Sequence, residues 1–249
     1  MNDAPVYDRI GAGYAEQRRP EPRWVTQIAN ALGDAGSVLN VGAGTGNYEP
    51  TDRPTVAIEP SPVMLEQRIN ANPVVQGVAE RLPFADGSFD VAMGTLTLHH
   101  WTDVVEGLRE VRRVARRQIF MLFEPLQTLD YWLLQYFPVA AQSETELQAP
   151  TTDTIAGVLD VVRVEPMPVP AECSDGVAAA YWRRPERYLD PAVQRSMSLL
   201  ALLDEDERAR GSARLAGELE SGRWRERFGH LLELTEFDAG YRLVIAQNS

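Results

Sequence analysis

The chain predicts a doubly wound α/β fold, a largely parallel sheet with helices on both faces. Three observations carry this. Short apolar strand segments alternate with amphipathic helical ones from residue 23 to residue 124. The run Gln118–Glu124 is almost unbroken apolar, the pattern of a parallel strand covered on both faces. The buried-looking segment Val38–Val41 runs straight into a turn with glycine at 42, 44 and 46.

Residues 7–19 precede Pro20 and Pro22, so a short N-terminal segment ends there. A helix over Arg23–Leu32 sets Trp24, Ile28 and Leu32 on one face at a spacing of four. Strands follow at Ser37–Val41 and Thr55–Glu59. Ser61 caps a helix that has Pro62 at its first position and carries Val63, Met64, Leu65 and Ile69 inward. Pro73–Gln76 reads as a third strand, and Asp86-Gly87-Ser88 turns the chain into a fourth, Phe89–Gly94. A helix over Asp103–Arg116 presents Val104, Leu108, Val111 and Ala115 to the core, and Gln118–Glu124 is strand five.

Beyond Glu124 the rhythm changes. Residues 126–138 are rich in Leu, Tyr, Trp and Phe, Thr152–Leu159 reads as a short helix and Val161–Val164 as a strand. Residues 171–236 form a long, mostly helical insertion before a last strand, Tyr241–Ala246. Within it, Asp190-Pro191 is a helix start, and Asp204 with Glu207 resembles a capping box. The expected organisation is one domain over 1–249, with a core at 20–125 and helical insertions at 126–160 and 171–236 that form a cap over the ligand crevice.

Composition narrows the function. The net charge is −12, which argues against a polyanionic partner, since nucleic-acid binding needs a basic footprint. All 24 basic residues are arginine, which removes lysine Schiff-base chemistry and a P-loop lysine. Cys173 is the single cysteine, so neither an internal disulfide nor a cysteine-rich zinc site can form, and no metal is expected. No apolar run approaches the roughly 18 residues of a membrane span and no signal-peptide core is visible, so the expected location is cytoplasmic.

The glycine turn and Glu59, thirteen residues beyond Gly46, describe a strand-to-helix turn that a ligand can approach closely, with an acid placed to accept from ribose hydroxyls. A dinucleotide fingerprint would need a third glycine where this chain has Asn47, which disfavours NAD.

Four segments in series, Val38–Gly46, Ala57–Pro60, Gly77–Phe84 and Asp86–Trp101, resemble the class I S-adenosylmethionine-dependent methyltransferases, in particular the small-molecule subgroup related to ubiquinone-biosynthesis methyltransferases (methyltransferase type 11). The resemblance covers about residues 5–125. It implies a Rossmann-like sheet of about seven strands with the last antiparallel, a helical cap insertion, and S-adenosyl-L-methionine as cofactor with S-adenosyl-L-homocysteine as product. The implied activity is methyl transfer to a small organic acceptor. Two other uses stay open: a non-catalytic or regulatory cofactor-binding protein, and non-methylating chemistry on the same cofactor.

Residue by residue, the resemblance implies that Gly42, Ala43, Gly44 and Gly46 approach the methionine part and the ribose. Glu59 takes the ribose hydroxyls, Pro60 and Met64 lie beside the adenine, Ala79 meets its edge and Glu80 sits next to it. Thr95 and Leu96 flank the sulfonium, and Tyr14 and Arg18 close over the methionine carboxylate. Two positions depart from the family pattern: an acid is usual where this chain has Asn40, and Asp where it has Val78. Asn40 would still accept a hydrogen bond from the methionine ammonium, without the charge that strengthens it.

His99 and His100 follow strand four at the sheet edge where ligands bind, so each is a candidate base as well as a candidate strand-end cap, with His100 the better placed. Glu124, at the end of strand five, and Tyr131, Tyr181 and Trp182, in the insertions, are candidate substrate contacts. Cap packing is the competing role for those aromatics. His230 and Cys173 read as structural. The stripe Arg109, Arg112, Arg113, Arg116 and Arg117 reads as a solvated face partnered by Glu106 and Glu110. The partner expected is a small molecule, with no nucleic acid and no membrane; cap helices in this family often meet a second subunit, so a homodimer stays open.

Overall fold

A computed structural model describes residues 18–248. Helix α1 (Pro22–Leu32) starts where expected. Proline occupies its first turn, the Glu21 side chain accepts from the Arg23 N–H, and Gly33 at φ +54° ends it. It buries Trp24, Ile28, Ala31 and Leu32. Strands β1 (Val38–Val41) and β2 (Thr55–Glu59) follow, then the single-turn helix α2 (Pro62–Glu66), capped by Ser61 Oγ on the Met64 N–H. Strands β3 (Val74–Gln76) and β4 (Phe89–Thr95), helix α3 (Val104–Val114) and strand β5 (Ala115–Phe123) complete the expected alternation.

One sheet of seven strands runs in the order β3-β2-β1-β4-β5-β9-β6, where β6 is Val161–Pro166 and β9 is Tyr241–Gln247. Strand β9 is antiparallel to both neighbours, β5 and β6, and every other pairing in this sheet is parallel. The order reverses between β1 and β4. That switch point leaves a crevice beyond the carboxyl ends of the central strands.

The sheet carries an apolar core on each face. On one, Leu108, Val111 and Val114 of α3 pack with Leu39, Phe89 and Phe120. On the other, Trp24, Ile28 and Leu32 of α1 pack with Val38, Met93 and Met121, and this core continues without a break into the insertions.

The first insertion carries helices α4 (Pro125–Leu129), α5 (Glu144–Leu147) and α6 (Thr152–Ala156). The second carries α7 (Pro191–Ser196), α8 (Ser198–Ala201), α9 (Glu205–Glu220) and α10 (Arg223–Phe228). The two interlock. Tyr136 Oη donates to Glu218 at 2.6 Å, Trp132 Nε1 donates to the Trp182 carbonyl at 3.1 Å, and a Cβ on Gly211 of α9 would stand 2.4 Å from the Phe137 ring. No helix among the described residues is long and apolar enough to cross a membrane.

Several local expectations need correction. Of the four apolar residues assigned inward on α2, only Met64 is buried, and Ile69 is 55% exposed. The helix stops at Glu66 because Arg68 leaves it to pair with Glu49 at 2.7 Å. Helix α3 ends at Val114 and passes directly into β5, which begins at Ala115; Val104 is only partly buried, and Ala115 is buried as a strand residue. The helix after Thr151 stops at Ala156 before Gly157. The second insertion is less helical than its composition suggested: β8 (Glu236–Phe237) closes it by pairing antiparallel with β7 (Val169–Pro170). Asp204 does cap α9 through the Glu207 N–H, while the Glu207 side chain turns to Arg210.

Candidate cofactor and acceptor site

The crevice is a cavity of about 1050 Å³, slightly above the ~300–1,000 Å³ usual for one small-molecule ligand. Its floor is built by strand ends. Gly42, Gly44 and Gly46 all take positive φ, +67°, +53° and +86°. At Gly42 the reason is also steric, because a Cβ there would stand 1.9 Å from Thr97 Oγ1. The N–H groups of Gly42 and Ala43 both donate to the Ile58 carbonyl, at 2.9 and 3.0 Å, which locks the turn onto β2. Gly42, Ala43 and Gly44 line the cavity; Gly46 lies behind them, against Asn70.

Glu59 ends β2 with 6% exposure. Its Oε2 accepts from the Gly44 N–H at 2.8 Å and its Oε1 from the Ser61 N–H at 2.9 Å. A carboxylate offers about four acceptor sites, so the group that organises both turns can also receive hydroxyls from a ligand. Pro60, Met64 and Ala79 line the cavity beside it, with Val78, which is 45% exposed. Glu80 lines it too, and its Oε1 accepts from the Thr102 and Asp103 N–H groups at 2.7 and 3.0 Å, fixing the entry to α3.

Beyond β4 the chain turns through Thr95 and Leu96, both on the cavity wall. Leu96 holds φ +53° and is the one non-glycine residue with positive φ among the described residues. Such strain in a bulky side chain is costly and concentrates at functional sites. The 3-10 turn Leu98–His100 follows. His100 lines the cavity, and burial pushes its pKa down to about 4, so the imidazole is neutral at pH 7. His99 does not line the cavity. Its ring centroid lies 3.9 Å from that of His100, tilted against it, and 5.1 Å from that of Phe123, edge-on; burial, then His100, then Arg18 hold its pKa well below the usual range.

Arg18 lines the cavity and is ion-paired with the fully buried Asp175, which also accepts from Tyr48 Oη at 2.7 Å. Burial, then Asp175, raise the Tyr48 phenol well above its ordinary value. This pair ties the start of the described chain to the second insertion. Tyr14 lies outside the described residues. Asn40 is buried and stands back from the cavity; its Nδ2 donates to Glu49 Oε1 at 3.1 Å, and Glu49 pairs with Arg68. Its Oδ1 is buried and accepts no hydrogen bond among the described residues.

The four residues expected to touch an acceptor do not line the cavity. Glu124 Oε1 accepts from the Thr152 N–H at 3.0 Å, Tyr131 Oη bonds Tyr188 Oη at 2.9 Å, and the Tyr181 N–H donates to that same Tyr188 oxygen. Trp182 Nε1 donates to the Val169 carbonyl at 3.1 Å. Their polar atoms satisfy the interior of the insertions and their rings fill it.

The insertions reach the cavity through other residues, chiefly Val139, Ala140, Glu146, Leu199, Leu202 and Leu203. Tyr48, Thr97 and Trp101 also line it. Thr97 and Trp101 fall inside the segment 86–101 that carried the family resemblance, so a signal for them existed. Glu146 had none: it stands in a polar stretch on a helix of four residues. His230 is exposed, and Cys173 is buried with its thiol pushed up to about 12, chiefly by burial. Of the arginine stripe, Arg112 bonds the Val158 carbonyl and Asp160, Arg117 bonds the Leu32 carbonyl, and Arg113 is the most heavily bonded. It pairs with Glu110 at 2.7 Å and Asp86 at 2.8 Å, and it donates to the Phe84 and Leu82 carbonyls.

Residues 39–123 match the family model described as a methyltransferase domain. The chain is 32% identical over 92 residues to YcgJ, an uncharacterized methyltransferase of Bacillus subtilis, covering 32% of this chain and 36% of that protein. It is 33% identical over 124 residues to a demethylmenaquinone methyltransferase of Roseiflexus, covering 45% of this chain and 52% of that one. The matched stretch thus spans about half or less of the length of these curated relatives. A crystal structure from Anabaena variabilis, of a protein named as a methyltransferase of an antibiotic biosynthesis pathway, superposes with a TM-score of 0.86 at 29% identity, covering 93% of this chain and 99% of that one.

Sheet order, glycine turn and structural likeness together define the class of fold: it is that of the class I methyltransferases. Within that fold, residues 39–123 are the stretch that matches the methyltransferase domain model.

Proposed function

We propose that this chain transfers a methyl group from S-adenosyl-L-methionine to a small organic acceptor held beneath the insertions, releasing S-adenosyl-L-homocysteine. The observation that carries the reading is the floor of the cavity, where a glycine-rich turn is bound by the Glu59 carboxylate at Gly44 and both face one large cavity. The group fits the residues present: backbone at Gly42, Ala43 and Gly44 for the methionine and ribose, Glu59 for ribose hydroxyls, and Pro60, Met64 and Ala79 for the adenine.

When bound, the cofactor supplies an already activated methyl on a positive sulfur. The protein's remaining work is alignment and exclusion of water. Thr95 and Leu96 wall the transfer region, and the Leu96 N–H, bonded to the Met121 carbonyl at 2.8 Å, holds the chain end of β4 there. The apolar side chains Val139, Leu199, Leu202 and Leu203 exclude water from the acceptor side. Neutral His100 orients an acceptor by hydrogen bonding; a group with pKa near 4 is a weak base at pH 7. His99 supports His100 from behind. A cytoplasmic location accompanies this reading, since one cysteine calls for no oxidising compartment.

The test is calorimetric titration with S-adenosylmethionine and S-adenosylhomocysteine, with NAD as control. We expect both adenosyl ligands to bind and NAD not to bind, and Glu59→Ala to lose adenosyl binding by at least 100-fold while keeping a cooperative melt. Unchanged affinity in Glu59→Ala, or binding of NAD alone, overturns the reading.

A further inference from the structure

The Glu146 carboxyl is the group that neither the fold nor the cofactor reading uses. It sits on α5 in the wall that the first insertion gives to the cavity, with 8% exposure. Its side chain makes no hydrogen bond or ion pair among the described residues. The other two carboxylates of the cavity are engaged by backbone N–H groups, Glu59 by Gly44 and Ser61, Glu80 by Thr102 and Asp103. The single basic side chain lining the cavity among the described residues, Arg18, is committed to Asp175. The insertions' wall is otherwise uncharged: Val139, Ala140, Leu199, Leu202 and Leu203 are apolar, and Gln142, Ser143 and Ser198 are neutral polar.

A largely buried carboxylate without a protein partner is costly; cavity water lowers the cost in part, and a cation or a proton lowers it furthest. The elements packed against α5 offer neither. The turn Leu98–His100 brings His99 and His100, both held neutral at pH 7; α4 and the segment Ala140–Gln142 carry no titratable side chain; Glu144, on α5 itself, is exposed and acidic.

We propose that Glu146 is the docking point and proton acceptor for an amine, so that the acceptor of this enzyme is a small primary or secondary amine bound as its ammonium. An alcohol or phenol can donate a hydrogen bond to the carboxylate but leaves its charge, whereas an ammonium cancels it where no other described residue does. The burial that raises this carboxyl to about 7 also suits it to take a proton near neutral pH.

The proton moves from the ammonium nitrogen to a Glu146 oxygen and frees the nitrogen lone pair. That pair forms the new N–CH₃ bond as the methyl–sulfur bond breaks, and the electrons of the broken bond remain on sulfur as a neutral thioether. The product is the methylated ammonium, and the proton on Glu146 passes to water. This rests on the methyl-transfer reading above.

The probes are a homologous series of primary amines, from ethylamine to 2-(2-naphthyl)ethylamine, each with its matched alcohol, titrated by calorimetry into protein saturated with S-adenosylhomocysteine. We expect at least one amine to bind at least tenfold more tightly than its alcohol at pH 8, the preference shrinking below pH 7. Glu146→Gln should lose at least tenfold in amine affinity with S-adenosylhomocysteine affinity within twofold, and Glu146→Asp should recover part of the loss. No preference for amine over alcohol anywhere in the series, or wild-type amine affinity in Glu146→Gln, overturns the inference. Because S-adenosylhomocysteine is titrated first, its failure to bind would strike the methyl-transfer reading, whereas its binding without amine preference strikes Glu146 alone.

Discussion

The same carboxyl makes a prediction about stability that needs no ligand. Replacing Glu146 with Gln keeps the shape and removes the charge. The Glu146 pKa stands at about 7, against 4.5 for the group in an unfolded chain, because burial penalises the carboxylate. That gap of about 2.5 units, at 1.36 kcal/mol per unit, corresponds to about 3 kcal/mol. The sign follows from proton binding. Below pH 4.5 the carboxyl is protonated in both states and carries no penalty. Between 4.5 and 7 the unfolded chain releases its proton and the folded protein keeps it, so stability falls as pH rises. Above 7 the folded protein carries the whole penalty.

Glu146→Gln should therefore match the wild type near pH 4.5 and exceed it by about 3 kcal/mol at pH 8. In thermal melts of a chain this size that is roughly 6–12 °C, at about 2–4 °C per kcal/mol. Paired urea and thermal unfolding curves across pH 4.5–8.5 measure it. A stability difference flat in pH, or a variant weaker than the wild type at pH 8, would refute the reasoning, because either result requires the carboxylate to be compensated inside the fold.

Two further predictions concern the supports of the site. Asn40→Asp puts a second carboxylate about where an amide N–H now donates to Glu49 at 3.1 Å; it should cost about 1–3 kcal/mol at pH 8 and recover toward pH 5 as the two acids share a proton. Urea unfolding at the two pH values checks this, and a loss independent of pH would refute it. Asp175→Asn leaves Arg18 facing a neutral partner at a fully buried position and should cost about 3–5 kcal/mol. It should also lower the Tyr48 titration midpoint, since Asp175 is one of the causes that raise it. Urea unfolding and ultraviolet absorbance titration read the two effects.

The part of the cavity legible in the sequence is the part made by short-range geometry. A strand that must end in a turn with positive φ needs glycine, and an acid at the end of the next strand stands beside that turn by β-sheet register alone: Asn40 pairs with Ala57 and Val41 with Ile58. Gly42, Gly44 and Glu59 are all on the cavity wall for that reason. The acceptor side was not legible because it depends on packing between segments far apart in the chain. Tyr131, Tyr181 and Trp182 drew notice as large aromatics, yet large aromatics are what the insertions need for their own core: Tyr131 packs across the seam on Tyr188, Tyr181 packs on the same Tyr188, and Trp182 packs on Phe237. The residues left to face the cavity are smaller and less conspicuous. Which of them face it is decided by contacts such as Gly211 against Phe137, for which no local pattern exists.

Asn40 shows how a departure from a family pattern can be absorbed. Read alone, the loss of an acid at the end of β1 removes a charge from the cofactor side. The structure places a buried carboxylate one hydrogen bond away, at Glu49, held by Arg68. An acid at position 40 would stand against that carboxylate, so the amide is the residue type the neighbourhood tolerates. Glu146 presents the opposite case. Among the described residues no side chain bonds or pairs with it, and a fold that keeps such a group leaves its compensation to whatever enters the cavity. The carboxylates at 59 and 80 are bound by the backbone they organise and therefore build the site. The one at 146 organises nothing, and that contrast assigns it to the acceptor.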